Sequence, residues 1–283
     1  MTGPRAQWTL PGAKGELIHG ETHSPDGDAT AAVVLVHGFK GYKDYGMLVH
    51  IAGSLADVGC VVHRVSLSHS GMGHGHGDFD EALFERDTWN RGIEDLLALN
   101  EAIDRGDLAG AAGGVILVGH SRGGALSLAA AGRHVDDGLL GAVRGVASLS
   151  APARLNGLDD EATAGLLAEG RIPSPSSRTG QVLHVGVAWV QEQLDDPEGH
   201  DMQRLMGRIS VPVLLIHGAD DPTVPASDAA LLQRYGPEGV QMHLVAGGTH
   251  VFNTPNPFDM AAMPSPQLAD AEAALLRFVQ GAC

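Results

Sequence analysis

The stretch that decides the fold is Val115-Ile116-Leu117-Val118-Gly119-His120-Ser121-Arg122-Gly123, and a helical pattern follows it over Ala125–His134. The apolar run predicts a strand buried on both faces. Gly-x-Ser-x-Gly then forms a strand–turn–helix connection, in which small neighbours let the two elements approach closely. The helix N-terminus offers unpaired N–H groups to a developing negative charge. Ser121 is therefore a candidate nucleophile, and an ordinary glycine-rich turn is the alternative.

Apolar runs that predict further buried strands recur along the chain, at Ala32–Val36, Cys60–Leu67, Val143–Leu149, Val211–Ile216 and Gln241–Val245. Short strands are expected first, at Gln7–Leu10 and Glu16–His19. Helical patterns occupy Met47–Val58, Glu81–Ile103 and Gln267–Val279. Strands that alternate with helices predict an α/β fold, with a mostly parallel central sheet flanked by helices.

The alternation breaks once, between Ser150 and Ser210. Helix-like pieces at Asp160–Ala168 and Val185–Leu194 flank a loop that contains Pro173-Ser174-Pro175. A segment of this length is near the lower limit for an independent domain. We therefore expect a single domain over residues 1–283, with a small helical insertion at about 151–209 that forms a partial lid.

The composition narrows the class of partner. The chain carries 18 Lys and Arg against 34 Asp and Glu, a net charge of −16. Such an acidic surface disfavours nucleic acid and anionic membrane surfaces. No apolar run reaches the ~18 residues of a membrane span, and the first residues lack a signal-peptide core, so a cytoplasmic location is expected. Cys60 is expected to be a buried small hydrophobe, Cys283 lies at the frayed end, and a disulfide framework is not expected.

A serine nucleophile needs a base, and the base needs an orienting acid. In proteins with this strand–turn–helix nucleophile, the acid and then the histidine follow the serine along the chain. Asp220 and Asp221 lie after the Val211–Ile216 strand, and His250 lies after Gln241–Val245. Strand ends of a parallel sheet meet at one edge, so these side chains can converge. His250 is the candidate base, and both aspartates are candidate acids. Among the rival histidines, His120 and His217 are expected to be structural and His243 to point into packing or solvent. His184 and His200 lie in the insertion.

Four motifs together resemble the α/β-hydrolase superfamily: His37-Gly38-Phe39-Lys40-Gly41, Gly119-His120-Ser121-Arg122-Gly123, Gly218-Ala219-Asp220-Asp221-Pro222-Thr223-Val224-Pro225 and Gly248-Thr249-His250. The chain is most similar to bacterial dienelactone-hydrolase-like and cinnamoyl-esterase-like serine esterases, which overlap with serine-aminopeptidase-like hydrolases. The resemblance spans about Ala31 to the C-terminus and is weakest in the insertion.

The resemblance implies specific roles. In Gly-x-x-Asp-x-x-Val-Pro the acid is the third residue after glycine, which is Asp221. The oxyanion N–H groups would come from Phe39 and Arg122. Dienelactone hydrolases proper have cysteine where this chain has Ser121, which argues against their particular substrate.

The expected activity is hydrolysis of carboxylic esters of small or medium acyl groups through Ser121, His250 and Asp221, with an acyl-enzyme intermediate and no cofactor. The alternative is a peptidase or amidase with the same triad. The partner is therefore a small-molecule ester or amide. Lys40 and Lys43 either contact an anionic substrate group or are solvated surface residues, and the second interpretation is favoured.

His74-Gly75-His76-Gly77-Asp78 offers a different chemistry, because alternating histidines can ligate zinc. The tract matches the His-x-His-x-Asp core of metallo-β-lactamase-like enzymes, but Phe79 stands where those enzymes have a further histidine. A short histidine-rich tract is a weak indicator of a metal. A loop beside the pocket is the favoured interpretation, and a zinc hydrolase that uses His74 and His76 is the less favoured alternative.

Overall fold

The protein was analysed as a computed structural model, which describes residues 4–73, 79–134, 137–176 and 180–282. The strands are β1 (Arg5–Pro11), β2 (Leu17–His23), β3 (Ala31–Val36), β4 (Cys60–Ser66), β5 (Val115–His120), β6 (Val143–Leu149), β7 (Arg171–Pro175), β8 (Val182–Gly186), β9 (Val213–Gly218) and β10 (Gln241–Val245). The helices are α1 (Leu48–Asp57), α2 (Glu81–Glu85), α3 (Trp89–Asp104), α4 (Arg122–Arg133), α5 (Asp160–Glu169), α6 (Ala188–Asp195), α7 (Met202–Met206), α8 (Ser227–Tyr235) and α9 (Pro266–Ala282).

An eight-stranded sheet forms the centre, in the order β1-β2-β4-β3-β5-β6-β9-β10. β2 pairs antiparallel with both β1 and β4, and every later neighbour is parallel. The predicted α/β fold with a mostly parallel sheet is therefore confirmed. All residues of β3, β5 and β9 are buried, as expected for strands covered on both faces.

Alternate side chains of the strands enter two separate cores. Val34 and Val36 of β3 pack with α3 and α4 on one face of the sheet. Val33 and Leu35 pack with α1 and α9 on the other face. The period of two along a strand produces this division. Cys60 is buried as expected, in the core that contains α1 and α9.

The helix predicted over Glu81–Ile103 is wrong as a single element, because α2 ends at Glu85 and α3 begins at Trp89. Thr88 adopts an extended conformation, and its hydroxyl accepts a hydrogen bond from the Arg91 N–H at 3.3 Å. Threonine at such a position caps a new helix rather than continuing the old one. The break also frees the Asp87 side chain to turn toward Arg122.

The predicted insertion contains helices α5 and α6, but it also contains a β-hairpin that the sequence interpretation missed. β7 and β8 pair antiparallel, and Pro173 lies opposite His184. A two-stranded sheet tolerates proline, because one side of each strand needs no partner. The predicted helix at Val185–Leu194 is therefore wrong at its start. The hairpin packs on α2, where Gly186 approaches the Glu85 carbonyl so closely that an added Cβ would lie 2.4 Å from that oxygen.

Lys43 is buried, which corrects the expectation of a solvated surface residue. Its side chain is 2 % exposed and its Nζ donates to Asp44 Oδ2 at 2.6 Å. Arg64, 1 % exposed, donates to Glu21 Oε1 at 2.6 Å and to the Lys43 carbonyl at 2.7 Å. The His23 imidazole, then the Arg64 and Lys43 cations, lower the pKa of Glu21 to about 2 against the opposing effect of burial. This cluster fixes the loop after β3 against β2 and β4.

Two negative findings apply to the described residues alone. No helix there combines the length and apolar character needed to cross a bilayer. No group of three or more His, Cys, Asp or Glu residues there is arranged to hold a metal ion. The His74-Gly75-His76-Gly77-Asp78 tract and Cys283 lie outside the described residues, so the zinc hypothesis stays a prediction.

Candidate active site

Four loops converge at the carboxyl edge of the parallel strands. They follow β3, β5, β9 and β10, and they carry Phe39, Ser121, Asp221 and His250 respectively. Strands β3 and β5 are neighbours, as are β9 and β10, with β6 between the two pairs. The predicted site residues therefore lie at one edge of the sheet, where open α/β sheets bind ligands.

Ser121 occupies a sharp turn between β5 and α4, with φ of 54° and ψ of −122°. A residue with a Cβ at such a positive φ is strained by about 1–3 kcal/mol. Hydrogen bonds hold the turn: the Ser121 N–H donates to the Leu149 carbonyl at 2.7 Å, and the Gly124 N–H donates to the Ser121 carbonyl at 2.9 Å. The serine side chain faces a cavity of about 390 Å³.

The turn depends on a close approach between α4 and the loop after β3. A Cβ on Gly123 would lie 2.3 Å from the His37 carbonyl oxygen. A Cβ on Gly38 would lie 3.0 Å from the Cβ of Ser121. The loop after β3 therefore passes directly beside Ser121, and glycine at position 123 allows this close approach.

His37 orients the peptide that carries the Phe39 N–H. Its Nε2 accepts from the Leu67 N–H at 3.1 Å, so the ring proton is on Nδ1, which donates to the Gly38 carbonyl at 2.7 Å. Burial lowers the pKa of His37 to about 4, so the ring is neutral. Because the C=O and N–H of one peptide point in opposite directions, fixing the Gly38 carbonyl also fixes the Phe39 N–H. In the described chain, neither this N–H nor that of Arg122 has a protein acceptor.

Asp221, rather than Asp220, contacts His250. The Asp221 Oδ2 lies 2.7 Å from His250 Nδ1, and its Oδ1 accepts from the Thr223 and Val224 N–H groups at 2.8 and 2.9 Å. Burial opposes ionisation of Asp221, yet the hydrogen bonds from Val224, His250 and Thr223 lower its pKa below the ordinary value. The side chain of Asp220 is exposed. Asp221 therefore stays the candidate acid, as the resemblance implied.

His120 connects His250 to the serine turn. Its Nε2 donates to the His250 carbonyl at 2.9 Å, and the two rings are 4.9 Å apart. Burial lowers the pKa of His120 to about 3, so this imidazole is neutral. Because His120 immediately precedes Ser121, this contact links the His250 loop to the turn that carries Ser121. Sequence reasoning placed His120 among the structural histidines but gave no signal for this contact.

The other histidines lie in structural positions. His217 is buried beneath the acid, with its Nε2 2.9 Å from the Val224 carbonyl and 3.4 Å from Asp221 Oδ2. His243 pairs with Asp270, His184 with Glu81, and His200 lies near Glu192. None of these three contacts the serine turn or Asp221 in the described structure, which leaves His250 as the candidate base.

The cavity beside Ser121 has mainly apolar walls built by the insertion, the loop after β3 and α3. Its lining includes Phe39, Trp89, Leu155, Ile172 and Trp189. The Arg122 guanidinium forms an ion pair with Asp87, and its central carbon lies 4.8 Å from the Trp89 ring centroid. Sequence reasoning missed these walls, because Trp89 lies within the predicted Glu81–Ile103 helix, in which no break was expected, and Trp189 lies in the insertion.

The chain belongs to the α/β hydrolase family, whose model matches residues 33–263. It is 31% identical over 195 residues to a non-heme chloroperoxidase from Streptomyces lividans. The matched stretch covers 58% of this chain and 67% of that relative. The fold is similar to that of Est1E from Butyrivibrio proteoclasticus with bound ferulic acid, at 18% identity, a TM-score of 0.71, and coverage of 96% of this chain and 98% of the other. It is also similar to an esterase domain from Rhodothermus marinus, at 19% identity, a TM-score of 0.65, and 99% coverage of both chains.

Proposed function

We propose that this protein is a serine hydrolase that cleaves carboxylic esters of small or medium acyl groups. Ser121 is the nucleophile, His250 the general base and Asp221 the residue that orients the imidazole. The observation that carries the proposal is the 2.7 Å contact between His250 Nδ1 and a fully buried Asp221 carboxylate, at the sheet edge where Ser121 forms the strained turn. A histidine held by Nδ1 presents Nε2 as the acceptor for a serine proton.

The reaction then follows in two halves. Ser121 Oγ attacks the acyl carbonyl while His250 takes its proton, and the imidazolium returns that proton to the leaving alkoxide or phenoxide. The Phe39 and Arg122 N–H groups stabilise the tetrahedral oxyanion, an effect worth a few kcal/mol for each donor. Water, deprotonated by His250, releases the acid and regenerates Ser121. This cycle requires no cofactor.

Labelling with a fluorophosphonate probe tests the nucleophile. We expect wild-type protein to be labelled and Ser121→Ala to be unlabelled, because the probe captures an activated serine. Ser127→Ala is a matched control, because that hydroxyl is fully buried and donates to the Gly123 carbonyl at 2.8 Å. Equal labelling of wild type and Ser121→Ala would contradict the proposal.

The ester preference is separated from a peptidase or amidase activity by comparing p-nitrophenyl acetate with an aminoacyl p-nitroanilide. We favour the ester, because the resemblance is to esterases and the lid is short. A higher kcat/KM for the anilide would reassign the substrate while retaining the triad. The zinc alternative predicts activity that is lost with a chelator and survives Ser121→Ala.

A further inference from the structure

The cavity beside Ser121 carries positive charge in an otherwise acidic protein. Arg122 and Arg154 are the charged side chains that line it, and no described lining residue is acidic. The whole chain carries a net charge of −16. An anion approaching elsewhere would be repelled, whereas apolar walls around a cation strengthen its field inside the cavity.

The two arginines differ in how their charge is balanced. Arg122 already has a partner, because two of its nitrogens contact the Asp87 carboxylate and one of these distances is 3.2 Å. Arg154 is exposed, and no described carboxylate lies within 4.0 Å of its guanidinium. The uncompensated charge of the cavity therefore belongs to Arg154.

The backbone on both sides of Arg154 is anchored. The Ala153 N–H donates to Asp228 Oδ2 at 2.9 Å, and the Trp89 Nε1–H donates to the Leu155 carbonyl at 3.0 Å. Ala153 and Leu155 are themselves buried. The backbone that carries Arg154 is thus fixed in the cavity wall, so binding a ligand there would have to order the arginine side chain but not its loop.

Lys40 adds a second cation close to the same cavity. Its Nζ donates to the Pro175 carbonyl at 2.7 Å and lies 5.3 Å from the centroid of the Phe39 ring. The structure described here places no carboxylate within ion-pair distance of it. Lys40 therefore contributes positive potential where the loop after β3 meets the hairpin of the insertion.

We infer that Arg154 is a specificity-determining residue that binds a carboxylate on the ester substrate, away from the bond that is cleaved. The inference rests on the proposed function and names its substrate class: monoesters of dicarboxylic acids, or other esters that carry a free carboxylate. A guanidinium offers two parallel N–H donors that match a carboxylate. Ser121 and Arg154 line the same cavity, and its apolar residues would pack against the chain that links the ester to the charged group.

Two substrates that differ in charge alone test the inference: mono-p-nitrophenyl glutarate and p-nitrophenyl 4-carbamoylbutanoate. Wild type is expected to show a kcat/KM about tenfold higher for the carboxylate than for the amide, as for a charge-assisted pair at a partly open site. Arg154→Gln should bring this ratio close to one, mainly by lowering kcat/KM for the carboxylate. Arg154→Lys should keep part of the preference.

Arg277→Gln is the matched control, because Arg277 is an exposed arginine on α9 that lines a different cavity. It changes the net charge equally and should leave the ratio unchanged. Wild-type preference should also fall as salt screens the pair. A wild-type ratio near one, or a ratio unchanged by Arg154→Gln, overturns the inference. If either result were found and both esters were still hydrolysed by wild type but not by Ser121→Ala, the proposed function would stand without the inference about Arg154.

Discussion

Replacement of Asp221 by asparagine tests the proposed triad with little change of shape. The asparagine Oδ1 would still accept from the Thr223 and Val224 N–H groups, at the positions where Asp221 Oδ1 does so now. Its Nδ2 would then face His250 Nδ1, which lies 2.7 Å from the present Asp221 Oδ2. Two N–H donors repel each other at this distance, so His250 must place its proton on Nε2 and can no longer accept one from Ser121.

The magnitude follows from this change of tautomer. In triads of this design the wrong tautomer lowers kcat about ten-thousand-fold, which corresponds to about 5.5 kcal/mol of barrier. Stability should fall by much less, about 1–2 kcal/mol, because one charge-assisted hydrogen bond is lost and two backbone hydrogen bonds remain. The kinetics of p-nitrophenyl acetate hydrolysis measure the first effect, and chemical denaturation measures the second.

Asp220→Asn is the matched control, since it makes the same chemical change at the exposed neighbouring position. Its kcat should stay close to the wild-type value. The reasoning would be refuted if Asp221→Asn retained more than about a tenth of wild-type kcat, a far smaller loss than a tautomer change produces. Retention of activity by Asp221→Asn together with a large loss in Asp220→Asn would instead assign the acid to Asp220.

Three further results are expected. Gly123→Ala places a Cβ 2.3 Å from the His37 carbonyl oxygen, so α4 must move. We therefore expect kcat/KM for p-nitrophenyl acetate to fall about a hundredfold. Gly165→Ala is the control, because the space around Gly165 is open, and it should leave kcat/KM unchanged. The pKa of Glu21 is lowered from 4.5 to about 2, so the ionised Glu21 stabilises the fold fully above pH 4.5, and this stabilisation is lost as the pH falls toward 2. Glu21→Gln should therefore weaken the acid dependence of the unfolding free energy, measured by denaturation between pH 7 and pH 2.5. An unaltered pH dependence would contradict this prediction. Ser121→Gly should unfold at a higher free energy than Ser121→Ala, by about 1 kcal/mol, because glycine relieves the positive φ; the reverse order would show that the turn is not strained.

The central sheet and the loops that carry the candidate site could be predicted because both depend on short, local patterns. A buried parallel strand is a continuous apolar run, and the strands at Val143–Leu149 and Gln241–Val245 have the predicted bounds. The candidate site residues directly follow such strands, so the topology alone brings them to one edge. Spacing could not separate Asp220 from Asp221 without the family motif, whereas the contact with His250 distinguishes them directly.

The walls of the cavity could not be predicted, because they depend on contacts between distant segments. Trp89 joins the cavity because Thr88 begins a new helix. The spacing of apolar residues runs through this break, and only the capping preference of Thr88 indicates it. The burial of Lys43 depends on Glu21 and Arg64, from strands that are not its neighbours in sequence.

The loops at the sheet edge and the insertion carry different parts of the proposed function. The proposed chemistry depends on loops whose positions are determined mainly by the sheet. The proposed selectivity depends on the insertion, which contributes Arg154 and the hairpin carbonyl bonded by Lys40. Because Lys40 follows Phe39 directly, the insertion also contacts the loop that carries an oxyanion N–H. A change in the hairpin should therefore alter kcat as well as KM, whereas a change at Arg154, which is remote from that N–H in sequence, should act on the choice between charged and neutral esters.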